Sequence, residues 1–341
     1  MKRPDDDLEM LLPSRKVEPT HQPTSSLFFK CYVIVTMTFL WTGYTITVRY
    51  TRSTVPQDAL YSSTSVVLSA ELIKLVITFL MFFKECNYSS REFSKKINNH
   101  FVTQPKELLK MSVPSIAYAL QNNLDFVGLS NLDAGLYQVT TQLKVVTTAV
   151  FMMIFLGREF STRRWLAILM LMAGVACVQM NNMSAEPSHK ATASNYFVGI
   201  SAVLATCMTA GFAGVYFEKM LKDGGATPFW IRNMQMYSCG VISASIACLF
   251  DWQTISSKGF FYGYDEKVYL IVGFLSCGGL YISLVVKYLD NLHKSFASAI
   301  SIILVVILSL MIFDDVFIGA YFVIGTFTAV TAVVLYNSVP N

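Results

Sequence analysis

Lys144 lies in the middle of an apolar run, Tyr137-Gln138-Val139-Thr140-Thr141-Gln142-Leu143-Lys144-Val145. No acidic residue stands three or four positions away from it on either side. Its ammonium therefore needs an anion from another element, and a phosphate is a natural one. Tyr137, Thr140, Thr141 and Lys144 fall along one side of a helix and make a polar stripe. Pairing with Glu71 is the plainer alternative. A second set, Tyr118, Gln121, Asn122 and Asp125, recurs at three- and four-residue spacing. Carboxamides facing lipid would be costly, so these should line a cavity. There they present both donors and acceptors, which suits reading the edge of a nucleobase. Hydrogen bonding between helices is the structural alternative, and Asn123 belongs to it. Glu71 and Lys74 share a helix face and can pair, either structurally or beside a ligand. Arg232, Asn233, Gln235 and Tyr237 cluster where a later run begins. Lys287 and Lys294 flank a turn; Lys294, at a helix start, can hold a phosphate, whereas Lys287 reads as a charged anchor.

The elements that must position these groups follow from composition. Of 341 residues, 54% are hydrophobic and only 14% charged, against roughly 25% charged in a typical soluble domain. A soluble enzyme, a disordered chain and a disulfide scaffold are all poor fits. Apolar runs near 27–48, 62–83, 109–128, 134–156, 165–181, 196–217, 229–250, 268–289, 295–313 and 318–336 predict about ten transmembrane helices of about 20 residues each. The chain is thus expected to be an all-α polytopic membrane protein. Residues 1–25 are polar, lack the apolar core of a signal peptide and read as a flexible cytosolic tail. Asp7-Leu8-Glu9-Met10-Leu11-Leu12 in that tail has the pattern of a vesicle-sorting signal.

Lysine and arginine divide roughly 18 to 5 between the two sets of loops, which predicts an even number of spans with both termini cytosolic. On that orientation the sequon at Asn182 faces away from the cytosol and the one at Asn87 faces it. The net charge of +4 is spread between apolar runs, so no nucleic-acid partner is indicated. Seven cysteines without a C-x-x-C pair, and four isolated histidines, suggest neither a disulfide framework nor a metal site.

Leu129-Ser130-Asn131-Leu132 and Leu289-Asp290-Asn291-Leu292 open similar runs, each followed by a Val-Val pair and ending in Ile-Phe. Five spans per half would give the halves opposite orientations, and inverted repeats place a transporter's site near the midplane. The resulting division is 26–182 for the first repeat, 183–195 for a linker and 196–338 for the second. Small-residue seams at Ala210-Gly211-Phe212-Ala213-Gly214 and Gly278-Gly279 suit close helix packing. A membrane-embedded transferase would need a metal-binding acidic pair, and Asp314-Asp315 reads instead as a short turn.

Tyr118-Ala119-Leu120-Gln121-Asn122-Asn123, Gln142-Leu143-Lys144, Gly211-Phe212-Ala213-Gly214-Val215-Tyr216-Phe217-Glu218-Lys219, Arg232-Asn233-Met234-Gln235 and Val286-Lys287-Tyr288 with Asp290-Asn291 resemble the Golgi nucleotide-sugar transporters. The nearest group holds the CMP-sialic acid, UDP-galactose and UDP-N-acetylglucosamine carriers, and the resemblance covers about residues 27–336. It implies the drug/metabolite transporter fold, with two inverted five-helix halves. It also implies exchange of a cytosolic nucleotide sugar for a lumenal nucleoside monophosphate, with no cofactor. Tyr118, Asn122, Tyr137, Lys144, Asn233, Tyr237 and Lys294 match positions lining the nucleotide site; Gln121 joins them from the polar face described above. Lys144 and Lys294 would hold phosphate, and Glu71 and Lys74 match a charged pair beside the cavity. The expected partners are the nucleotide sugar, the monophosphate and the bilayer, with homo-oligomers or a glycosyltransferase left open. The expected location is the Golgi membrane, the endoplasmic reticulum being the alternative. A UDP-sugar (galactose, N-acetylglucosamine or N-acetylgalactosamine) is favoured and CMP-sialic acid is second, ahead of a transporter-like scaffold. Thr141, Ala210, Ser295 and Asp125 depart from the usual pattern and bear on the choice of sugar.

Overall fold

The structure, a computed structural model, describes residues 26–56, 59–132, 134–183, 196–222, 227–312 and 318–338. The tail with its sorting pattern, Ser184 of the second sequon, the rest of the linker to residue 195 and Asp314-Asp315 lie outside the described residues. So do the side chains of Asn122, Asn123 and Asp125.

The described residues are helical, in the order α1 (Leu27–Thr54), α2 (Ser63–Glu85), α3 (Ser90–Ile97), a π-turn (Asn98–Thr103), α4 (Pro105–Asn131), α5 (Ala134–Thr140), α6 (Leu143–Leu156), α7 (Thr162–Met183), α8 (Tyr196–Lys222), α9 (Phe229–Phe250), α10 (Trp252–Lys258), α11 (Glu266–Tyr288), α12 (Asn291–Ile312) and α13 (Ala320–Ser338). Local chemistry sets their ends. Ser26 Oγ accepts from Phe29 N at the start of α1 (3.2 Å), and Asp265 Oδ1 accepts from Val268 N at the start of α11 (2.9 Å), each meeting a donor the first turn leaves open. Pro105 opens α4, where its missing N–H costs nothing. Gly157, at φ +61°, ends α6.

Among the described residues seven helices, α1, α2, α7, α8, α11, α12 and α13, are long and apolar enough to cross a membrane. The other three expected runs differ for visible reasons. The run 134–156 is not one helix but α5 and α6, broken at Thr141-Gln142. Helix α4 carries Gln121, Asn122, Asn123 and Asp125 within its apolar run, and α9 carries Arg232, Asn233 and Gln235; these residues lower their hydropathy.

Contacts tie the helix ends into two layers. At one end, called the near end, Phe29 of α1 packs on Tyr288 of α11, Phe82 of α2 clusters with Ile231 of α9, and Arg164 of α7 lies over Tyr336 of α13. At the far end, Asp251 after α9 accepts from Ser62 (2.6 Å) and Thr64 (3.1 Å) at the start of α2. Lys267 of α11 also lies over Tyr50 of α1. The largest apolar core joins α6, α7, α8, α12 and α13 around Met152, Ile168, Leu171, Leu292 and Ala329. Helices α7 and α13 meet backbone to backbone: a Cβ on Gly174 would lie 2.7 Å from Ala329 N, and one on Gly325 2.6 Å from Gly174 O. Small residues permit this approach where lipid supplies no hydrophobic drive between helices.

Candidate functional site

Two chambers open inside the bundle and share Tyr118. The first, about 570 Å³, is lined by Trp41 and Arg49 of α1, Gln121 of α4, Lys144 of α6, Gln179 of α7, and Asn291, Lys294, Ser298 and Ser301 of α12. Among the described residues its lining carries three cations, Arg49, Lys144 and Lys294, and no carboxylate. Its size falls within the usual range of small-molecule sites, about 300–1,000 Å³.

The break between α5 and α6 gives Lys144 its position. Gln142 N bonds to Val139 O (3.2 Å), Lys144 N to Thr141 O (3.1 Å) and Val145 N to Gln142 O (3.0 Å). These tight turns start a new helix at Leu143, so Lys144 stands in the first turn of α6. Lys294 stands in the first turn of α12. Lys144 is therefore paired with the positive end of a helix, which favours an anion by a further 0.3–1 kcal/mol or so; the start of α12 is already capped by Glu218 and Asp290. Discontinuous helices of this kind present anion sites in membrane carriers.

The second chamber, about 720 Å³, is lined by Glu71 and Lys74 of α2, Ser115 of α4 and Tyr237, Gly240 and Ser243 of α9, with Val67, Ile246 and Phe250 among its apolar residues. Here charge is balanced: Lys74 Nζ lies 2.6 Å from Glu71 Oε1. The pair fits because two glycines face it. A Cβ on Gly240 would lie 2.6 Å from Glu71 Oε2, and one on Gly279 2.8 Å from Lys74 Cδ. Glu71 Oε2 is buried without a hydrogen-bond partner among the described residues. Lys74 Nζ stands 4.8 Å from the centroid of the Tyr237 ring, within cation–π range. The Tyr237 hydroxyl donates to Gly279 O (3.2 Å), and its oxygen is 3.1 Å from Ser283 Oγ.

Of the residues singled out in the sequence, Gln121, Lys144 and Lys294 line the first chamber, Glu71, Lys74 and Tyr237 the second, and Tyr118 both. Asn122 lies in α4, but its side chain is outside the described residues. Tyr137 and Asn233 are not in either lining. Tyr137 is buried with Leu132, Val203 and Cys207. Asn233 is fully buried, and its Nδ2 donates to Phe229 O (2.9 Å). Its neighbours on α9 anchor the connection between α3 and α4: Arg232 Nη1 is 2.6 Å from Glu107 Oε2, and Gln235 Nε2 donates to His100 O (3.1 Å). Lys287 rests 4.2 Å from the centroid of the Phe229 ring, as an anchor would.

Sequence reasoning missed Arg49, Asn291, Ser298 and Ser301. The signal was present on α12, where Asn291, Lys294, Ser298 and Ser301 recur every three or four residues. Arg49 falls just beyond its apolar run and reads as a loop charge, although Thr45, one turn before it on α1, lines the same chamber. Among the described residues no group of three or more His, Cys, Asp or Glu is placed to hold a metal ion.

The model of the nucleotide-sugar transporter family matches residues 25–337. UDP-galactose translocator 1 of Caenorhabditis elegans is 69% identical over 342 residues, covering 98% of this chain and 96% of the relative. The human UDP-N-acetylglucosamine transporter is 39% identical, covering 89% of this chain and 94% of its own. The C. elegans UDP-N-acetylglucosamine/UDP-N-acetylgalactosamine transporter nstp-4 is 38% identical over 92% of this chain and 94% of its own. A solved crystal structure aligns with a TM-score of 0.63 over 92% of this chain and 98% of its own, at 11% identity, a likeness of fold alone. This multi-pass membrane chain belongs to the nucleotide-sugar transporter family, whose members are transporters and not enzymes.

Proposed function

We propose that the protein is an antiporter that carries a UDP-sugar, galactose foremost, from the cytosol into the Golgi lumen in exchange for UMP. N-acetylglucosamine and N-acetylgalactosamine are the other sugars in view. The observation that carries this reading is the convergence of Arg49, Lys144 and Lys294, from three helices, on the first chamber, which has no carboxylate among its described lining residues. A cavity so charged within an apolar bundle is an anion site. Lys144 and Lys294 take the phosphates; Tyr118 and Gln121 face the base and ribose, and Asn122 is assigned to the same nucleotide; Glu71, Lys74 and Tyr237 form the adjoining, charge-balanced chamber. Tyr137 and Asn233 support the site from behind. The names of the relatives favour uridine nucleotides over CMP-sialic acid.

On this reading α4, the α5–α6 pair and α9 cross the membrane with the seven apolar helices, giving ten crossings. The halves, 26–182 and 196–338, are inverted repeats joined by the linker 183–195 and follow the 1–25 tail. The near end faces the cytosol, where the basic loops gather. The empty, cationic carrier reorients slowly, so that inward and outward steps are coupled through ligand binding. Homo-oligomers or association with a glycosyltransferase are compatible with this arrangement.

Purified protein in liposomes tests the proposal. Vesicles preloaded with UMP should take up UDP-galactose, and vesicles without internal nucleotide should take up far less. Equal uptake in both would remove the antiport reading. Exchange for CMP-sialic acid alone would move the assignment to the cytidine branch.

A further inference from the structure

We propose that Glu218, Arg158 and Asp290 form the latch that closes the near end of the cationic chamber, and that Asn291 connects this latch to the chamber's contents. The inference rests on the antiport reading above and deepens it.

The Glu218 side chain is fully inaccessible, a costly position for a carboxylate unless charges and donors match it. Three groups do so: Lys222 Nζ at 2.7 Å, Arg158 Nη2 at 3.6 Å and the backbone N–H of Asn291 at 2.9 Å. Arg158 also reaches Asp290, Nη1 to Oδ2 at 2.9 Å. Asp290 Oδ1 in turn accepts from His293 N (2.8 Å) and lies 2.7 Å from His293 Nδ1. Lys222 Nζ closes the cluster on Leu289 O. The three principal residues come from separate elements: Arg158 from the segment after α6, Glu218 from α8, and Asp290 from the turn between α11 and α12. They cross-link the first half of the chain to the second.

Two features distinguish a latch from a static ion pair. Arg158 is 29% exposed, so its charge borders on water and can be hydrated when the helices part. A charged cluster has two stable conditions, matched when closed and solvated when open, whereas an apolar seam has only the first. The second feature is Asn291. It is buried, lines the cationic chamber, and its Oδ1 has no hydrogen-bond partner among the described residues. Its side chain lies against Gly214 of α8, which leaves no room for a Cβ. The same residue's backbone N–H bonds to Glu218, and Lys294 follows it within the first turn of α12. An anion held by Lys294 thus acts on the turn that carries both Asn291 and Asp290.

The test is access from the near end. A reporter cysteine, Ser298→Cys, is placed in the chamber of the full chain, and its reaction with a membrane-impermeant maleimide is followed in oriented vesicles. The parent without the reporter gives the background from native cysteines. Arg158→Gln should raise labelling from the near end about tenfold, the effect of shifting a two-state equilibrium by one decade, and Arg158→Lys should return it towards the parent rate. UMP should still raise the melting temperature of Arg158→Gln. If labelling stays at the parent rate while the melting temperature falls, the cluster is structural and the latch is overturned. Should Arg158→Gln fail to fold, Asp290→Asn with the same readout decides the matter. If UMP gives no thermal shift in the parent either, the nucleotide reading fails separately, because labelling requires no ligand.

Discussion

The cationic chamber and the near-end cluster use the same kinds of residue in opposite ways. In the cluster, Arg158 and Lys222 are matched within 4 Å by Glu218 and Asp290, and Glu218 is sealed from solvent. In the chamber, Arg49, Lys144 and Lys294 share one cavity with no carboxylate among its described lining residues. Balanced charge inside a membrane protein serves structure or gating, because each ion meets its counter-ion within the fold. Cations gathered from three helices onto one open cavity attract an anionic ligand. The Glu71–Lys74 pair in the second chamber is balanced but faces open space, and so lies between the two cases.

Removing a charge should therefore have opposite consequences in the two regions. The largest effect is expected for Glu218→Ala, which strands Arg158 and Lys222 near a buried site. Breaking one side of a buried ion pair costs about 3–5 kcal/mol, and unfolding in detergent followed by fluorescence should show a loss of that order with or without UMP. Next come Lys144→Gln and Lys294→Gln. Each should leave the ligand-free melting temperature much closer to the parent's than Glu218→Ala does, since Lys144 is exposed in the chamber and Lys294 only partly buried. Each should nonetheless reduce UMP affinity about 10- to 100-fold, the worth of a charged hydrogen bond of about 1.5–3 kcal/mol. A large loss of ligand-free stability in either lysine variant would erase the contrast between the regions.

Gly240→Val is expected to have an intermediate effect. The added side chain must displace the Glu71 carboxylate, which lies in the path of the new Cβ, and so parts it from Lys74. Exchange activity should fall severalfold while UMP affinity, set in the other chamber, changes little. The smallest effect concerns Asp251. Hydrogen bonds from Ser62, then Thr254 and Thr64, hold its carboxyl below the usual carboxylate range despite partial burial. A depressed folded-state value means that the ionised form stabilises the far end above the ordinary carboxylate pKa, and that this is lost as pH falls through the lowered value. Asp251→Asn should thus melt slightly below the parent at neutral pH, and the two should converge on acidification.

The sequence made some of this legible and concealed the rest for physical reasons. Glu71 and Lys74 could be paired because helical spacing alone puts them on one face, and Lys144 stood out because an ammonium in an apolar run has few neutral explanations. The break between α5 and α6 was not visible, since Thr141-Gln142 contains neither proline nor glycine to mark it; yet that break sets the orientation of Lys144. Arg232, Asn233 and Gln235 formed an evident polar cluster, but rotation of α9 turns Arg232 and Gln235 towards Glu107 and His100. Polar spacing reveals a face and not what the face meets. Arg49 escaped notice because its role depends on contacts between helices far apart in sequence, and the same distance hides the bond from Asn291 to Glu218 across 73 positions.

The most direct measurement is calorimetric titration of uridine, UMP and UDP into detergent-purified parent, Lys144→Gln and Lys294→Gln. If the chamber is a phosphate site, affinity in the parent rises from uridine to UMP to UDP. Each substitution should remove most of that rise while leaving uridine binding nearly as it was. Equal affinity for uridine and UMP in the parent, or an equal loss for all three ligands in the variants, would contradict the assignment of Lys144 and Lys294 to phosphate.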